Sequence, residues 1–132
     1  MKIYLASSWR NPHYPKVLQQ LRDTGHEVYD FRESGFQWDE IYPGFAEDLN
    51  TRWPFMMASS EKAQEHFARD KAALDACDML VLLHPCGRSA HLEAGYAIGK
   101  GKPVHIILGP EHVEPELMYL LANHIQIATD LE

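Results

Sequence analysis

The chain predicts a single α/β domain built on a doubly wound parallel sheet of about five strands. Two observations carry this. Short apolar runs alternate with helical segments, the pattern of βαβ units. One of those runs, DMLVLLH at 78–84, is apolar almost throughout, as a central strand covered on both faces must be. The length of 132 residues suits one domain over 1–132.

The elements follow in order. KIYLA at 2–6 is a short buried strand. YPKVLQQLRDTG at 14–25 places Val17, Leu18 and Leu21 at helical spacing and ends on a Gly stop. HEVYDF at 26–31 is a second strand, and 32–58 is irregular, rich in Gly, Pro and aromatic residues. The stretch 59–77 opens on serines suited to capping and repeats apolar residues at Ala63, Phe67, Ala68, Leu74 and Cys77, so it is a helix. After the central strand, 89–101 forms a short helix closed by Gly, KPVHIILG at 102–109 a strand, 114–123 a helix and 124–128 a last strand. No internal repeat or low-complexity segment interrupts this order.

Composition bounds the function. The apolar fraction is 45% and the charged fraction 23%, ordinary for a soluble globular protein. No apolar run approaches a membrane span, and the opening MKIYLASSWR is too short in its apolar part for a signal peptide. The expected location is the cytoplasm. Cys77 and Cys86 are too few for a disulfide framework and are expected as reduced thiols. The formal charge of −7, from 12 basic and 19 acidic residues, argues against a nucleic-acid partner. A small anion in a local basic pocket remains compatible with it.

Ligands of doubly wound sheets bind beyond the carboxyl ends of the strands. That directs attention to SSWRNP, to DFRESG with the long loop, and to HPCGRSAHLE. In the last of these Glu93 is the one acid in GRSAHLEAGYAIGKGKP, a stretch of four glycines and three alanines. It is expected in about the first turn of its helix, where the dipole favours a carboxylate. It either complements that dipole or lies open to a closely approaching ligand. Tyr4, inside the first strand, needs a partner for its hydroxyl, either a carboxylate at the sheet's edge or a backbone carbonyl. SSWRNP offers hydroxyls, amides and a guanidinium suited to a phosphate or sugar, although Ser8 or Asn11 equally suits a helix cap. Asp70 sits in the helix before the central strand, and Asp78 at that strand's amino end suits a turn or cap. His84, Cys86 and His91 match no standard zinc pattern, and no metal or cofactor is expected. There is no G-x-G-x-x-G, Walker or G-x-S-x-G motif. The aromatic side chains Trp38, Tyr42, Phe45, Trp53 and Phe55 suit either base stacking or a satellite core or subunit contact.

IYLASSWRN, ARDKAALDACDMLVLL and GRSAHLEAGYAIGKGKPV, in that order, resemble the nucleoside 2-deoxyribosyltransferase superfamily, which includes 2'-deoxynucleoside 5'-monophosphate N-glycosidases. The match covers most of the chain except 32–58 and the last twenty or so residues. The resemblance implies a flavodoxin-like sheet, a nucleophilic Glu93 that forms a glycosyl ester, an Asp70 that assists the leaving base or orients the substrate, and a Tyr4 that hydrogen-bonds the nucleophile. It implies that Ser8, Trp9, Arg10 and Asn11 line the substrate site. It also implies a homodimer or higher homo-oligomer acting on a nucleoside or nucleotide.

The residue types suit the chemistry, because base departure builds oxocarbenium charge that a carboxylate stabilises and captures. The chain departs from the family six residues before Glu93. There the transferases carry Asp and the monophosphate hydrolases Ser, whereas Gly87, followed by Arg88 and Ser89, stands here. Loss of the acid and gain of a guanidinium favour a 5'-phosphate. The sequence reading is therefore cleavage of an N-glycosidic bond, with a nucleotide-binding sensor or an NAD-type glycohydrolase as alternatives.

Overall fold

In the computed structural model, residues 1–34, 53–111 and 113–128 are described. Met1–Phe31 with Ala73–Glu132 form one compact unit, and Arg32–Ala72 a second.

The first unit holds five strands: β1 (Lys2–Ala6), β2 (Glu27–Tyr29), β3 (Met79–Leu83), β4 (Val104–Leu108) and β5 (His124–Ile127). Every pairing is parallel, and the order across the sheet is β2-β1-β3-β4-β5. This is the flavodoxin-like order of a doubly wound sheet. Strand alternation sorts the core into two layers. Ile3, Leu5, Val81 and Leu83 pack with Val17 of α1 (Tyr14–Asp23) on one face. Tyr4, Ala6, Leu80 and Leu82 face the other way, against Ala90, Ala94 and Ala97 of the helix that follows β3. Each fully buried large side chain in these layers contributes about 1.5–3 kcal/mol.

Turn chemistry ends the helices where the sequence predicts. Gly25, at φ 91°, closes α1 in a conformation other residues rarely adopt. The second unit contains α2 (Trp53–Ser59) and the first part of α3 (Glu61–Ala76). Ser60 caps α3, its Oγ accepting the Ala63 N–H at 3.2 Å. At the far end of α3, Lys102 Nζ donates to the Asp75 and Cys77 carbonyls at 2.8 and 2.5 Å, a cation placed at the negative helix end. Asp78 ties the amino edges of β1 and β3 together, its carboxylate accepting the Lys2 N–H at 2.7 Å.

Two expectations are corrected. The segment 32–58 is not irregular throughout: Phe31–Ser34 is a 3-10 turn and α2 is helical. The expected helix at 114–123 is only a 3-10 segment, Leu117–Leu121. Its Leu117, Met118, Leu120 and Leu121 are all exposed. Without a buried stripe, a short segment gains no packing energy to hold an α-helix.

Candidate active site

The strand order creates the site before any side chain is considered. The chain leaves β1 toward β2 and returns to β3 on β1's other flank. The connections after β1 and β3 therefore diverge and open a crevice at the carboxyl edge between them. Polar side chains stitch the two connections. Ser7 Oγ donates to the Leu83 carbonyl at 2.8 Å. Asn11, 2% exposed, donates its amide to Ser7 Oγ at 2.9 Å and lies within 3.3 Å of the Leu83 and 3.2 Å of the Pro85 carbonyl. Its Oδ1 accepts the His13 N–H at 2.8 Å. Asn11 thus builds the crevice wall and has its amide hydrogens engaged within the protein. The sequence expects Asn11 to line the substrate site, and here its amide faces Ser7 and the Leu83 and Pro85 carbonyls.

On the sheet face of β1 and β3 packs α4 (Arg88–Gly99). Ala90, Ala94 and Ala97 are its buried stripe, and Glu93 lies on the same side at helical spacing. The alanines bring the helix close to the sheet, so the one acid of the stripe reaches β1. There the Tyr4 hydroxyl donates to Glu93 Oε2. Tyr4 is fully buried and its ring stacks on Tyr29 at 5.3 Å. Between the two partners the sequence left open, the carboxylate is the one in place. Glu93 itself sits in the second turn, not the first, because α4 starts at Arg88 with Gly87 as its N-cap. The dipole acts mainly within the first turn, so Tyr4 is the stronger local support for this carboxylate.

The remaining candidates occupy the two connections. Ser8 Oγ accepts the Arg10 N–H at 3.2 Å. Trp9 is exposed and packs edge-on against Phe31 at 5.7 Å. Gly87, Arg88 and Ser89 are exposed at the α4 amino terminus. Gly87 offers no side-chain cap, so the first-turn amides stay open to a ligand. Among the described residues neither Arg10 nor Arg88 has a side-chain partner.

His84, Cys86 and His91, whose ligand atoms lie within 4.8 Å of one another, are organised around a residue without any signal in the sequence, Tyr119. Its hydroxyl lies 2.7 Å from both His84 Nε2 and His91 Nε2, and His91 Nδ1 lies 2.7 Å from the Gly87 carbonyl. Hydrogen bonds thus account for three of the four imidazole nitrogens. Burial, with Glu93's charge second, pushes the Cys86 thiol up to about 12. The thiol stays protonated around neutral pH.

A second feature also escaped the sequence reading. His13 Nε2 meets Glu111 Oε1 at 2.6 Å and ties the β1 connection to the one after β4. The hydrogen bond to His13 holds the Glu111 carboxyl below its ordinary range. Gly109 allows the approach, since a Cβ there would lie 2.7 Å from Glu111 Oε2.

Asp70 is half-buried on α3 in the Arg32–Ala72 unit. Trp38, Tyr42 and Phe45 lie outside the described residues, as do the side chains of Trp53 and Phe55.

The chain shares its fold with solved structures of nucleoside 2-deoxyribosyltransferase-like enzymes. It is similar to the 2-deoxyribosyltransferase of the psychrotolerant bacterium Bacillus psychrosaccharolyticus, at 25% identity and a TM-score of 0.69, over 99% of this chain and 88% of that one. The CMP N-glycosidase BcmB of Clostridium botulinum matches at 17% identity and a TM-score of 0.56, over 99% and 92% of the two chains. A conserved protein of Enterococcus faecalis V583 matches at 18% and 0.58, over 96% and 81%. No family model matches the chain, and no curated protein matches it significantly. No helix among the described residues is long and apolar enough to cross a membrane.

Proposed function

We propose that this chain is an enzyme that cleaves the N-glycosidic bond of a (deoxy)nucleoside or its 5'-monophosphate through a glycosyl ester on Glu93. The observation that carries this is the Tyr4–Glu93 hydrogen bond at the β1/β3 crevice. A binding module has no need of a carboxylate oriented by a buried phenol. Similarity to a 2-deoxyribosyltransferase supports the same chemistry.

In the first step the Glu93 carboxylate attacks the anomeric carbon while the bond to the base nitrogen breaks. The bonding pair leaves with the base, which takes a proton from Asp70. Oxocarbenium charge builds on the sugar, and the adjacent carboxylate stabilises it and then closes the ester. In the second step water, or the nitrogen of another base, attacks the same carbon and gives its proton to Asp70, and Glu93 leaves as carboxylate. Tyr4 keeps the carboxylate oriented through both steps.

The phosphate reading rests on charge. Arg88 opens α4, and a cation at the positive end of a helix is the wrong sign for the dipole. A bound dianion reverses that penalty and also meets the open amides, Ser89 and, from the neighbouring connection, Ser8 and Arg10. The superfamily resemblance adds a homodimer or higher homo-oligomer to this reading, and the sequence's lack of a membrane-length apolar run adds a cytoplasmic location.

The test is incubation with nucleosides, their 5'-monophosphates and NAD, with chromatography for free base. The reading expects base release, with the monophosphate preferred by about tenfold or more. Binding without release would make the chain a sensor, and release from NAD alone would make it an NAD-type glycohydrolase.

A further inference from the structure

Hydrogen-bond logic gives the His84–Tyr119–His91 cluster a direction. The Gly87 carbonyl can only accept, so His91 Nδ1, 2.7 Å away, carries the proton. The Nε2 of a neutral His91 is then a bare acceptor, and the Tyr119 hydroxyl, 2.7 Å away, must donate to it. A phenol has one proton. Its oxygen therefore accepts from His84 Nε2, also at 2.7 Å. The chain runs from His84 N–H through Tyr119 O–H to His91 Nε2, and from His91 Nδ1–H to the Gly87 carbonyl. Each link determines the next.

The far end of this chain is the turn that opens α4. The Gly87 carbonyl also accepts the His91 backbone N–H at 3.4 Å, so one residue grips that peptide with both its backbone and its ring. Gly87 has no side chain of its own to settle the turn, and its Cβ position is open space. The orientation of the 87–88 peptide thus depends on His91. His84, at the other end, is buried where β3 ends, and Tyr119 is half-buried. The anchor is in the rigid core and the load is in the crevice.

We propose that His91 is a positioning residue for the anion-binding turn at Gly87–Ser89, held in its Nδ1–H tautomer by Tyr119 and His84. This deepens the proposed function and rests on its phosphate reading. The first experiment needs no turnover. Long-range proton–nitrogen NMR of the full chain reads the tautomers, with His91 expected as Nδ1–H and His84 as Nε2–H. An Nε2–H His91 overturns the proposal. The second is titration with inorganic phosphate. His91→Leu and Tyr119→Phe are expected to weaken it about five- to tenfold and about threefold. His91→Asn, whose amide can reach the same carbonyl, restores most of the loss, and it keeps the test alive if His91→Leu does not fold. Unchanged phosphate affinity in all three variants overturns the proposal.

In turnover, the loss is expected in KM for the monophosphate, with kcat and the bare nucleoside affected less than twofold, roughly. Base release with an unchanged KM in His91→Leu and Tyr119→Phe sinks this inference and leaves the glycosidase reading. Absence of base release, with tautomers and phosphate effects as expected, sinks that reading and upholds this inference.

Discussion

The Tyr4 hydroxyl and the Glu93 carboxylate, 89 residues apart in the chain, are hydrogen-bonded at the carboxyl edge of the sheet. The phenol is fully buried and the acid is partly so. A charge-assisted bond of this kind contributes about 1.5–3 kcal/mol. Tyr4→Phe is therefore expected to lower kcat/KM for base release by about ten- to hundredfold. Glu93→Gln should abolish release while its amide oxygen still accepts the Tyr4 proton, so Tm changes little. Glu93→Ala, by contrast, removes a charged acceptor from a buried hydroxyl, at a cost of about 1–3 kcal/mol, and should lower Tm as well. Turnover by Glu93→Gln comparable to wild type would refute the nucleophile.

For Asp70, the proposed role is proton transfer to the departing base. Asp70→Asn is expected to slow substrates with poor leaving bases far more than nitrophenyl glycosides, whose leaving group needs no proton. Equal losses on both would make Asp70 a sugar-positioning residue.

Arg10 and Arg88 are expected to create the preference for a 5'-monophosphate. Arg88→Ala or Arg10→Ala should remove most of a preference of about tenfold, one decade per ~1.4 kcal/mol. Steady-state kinetics on a nucleoside and its monophosphate measure this. Equal turnover of the two by the wild type would move the assignment to a base-exchanging transferase.

Asn11 joins two connections through buried hydrogen bonds. Asn11→Ala leaves buried acceptors and the His13 N–H without this partner, and should cost about 1–3 kcal/mol of stability in chemical denaturation. Asn11→Asp should also destabilise, since a carboxylate has no proton to offer the Leu83 and Pro85 carbonyls. A stability equal to wild type would remove Asn11 from the crevice wall.

Acid should destabilise the fold in two steps. Burial, with His91's charge second, lowers the His84 pKa from 6.5. The unfolded chain then binds a proton that the folded one refuses, so stability falls as pH drops from about 6.5 toward the folded value. Glu111 is lowered from 4.5 by its hydrogen bond to His13, so its contribution is present above 4.5 and is lost as pH falls through the lower folded value. Melting curves against pH should show both steps. His84→Gln should flatten the first and His13→Gln the second.

Local order was legible in the chain because it depends on neighbours. The apolar run at 79–83, the helical spacing at 14–23 and the glycines at 25 and 101 each act within a few residues. Tyr4 announced its need for a partner through its own chemistry, and Glu93 stood out by composition alone. Local reading failed at Leu117–Leu121, where Leu117, Met118, Leu120 and Leu121 are exposed and form no buried stripe among the described residues.

Tertiary structure decided which distant residues meet. The order β2-β1-β3-β4-β5 sets β1 beside β3 and puts the crevice between their connections. The partner of Tyr4, the embrace of Asn11 by residues 72 and 74 positions away, and the bridge from Tyr119 to His84 and His91 all follow from it. Periodicity specifies which face of an element is buried, whereas hydrogen bonds between connections depend on which strands are neighbours. That choice belongs to the packing of the whole sheet.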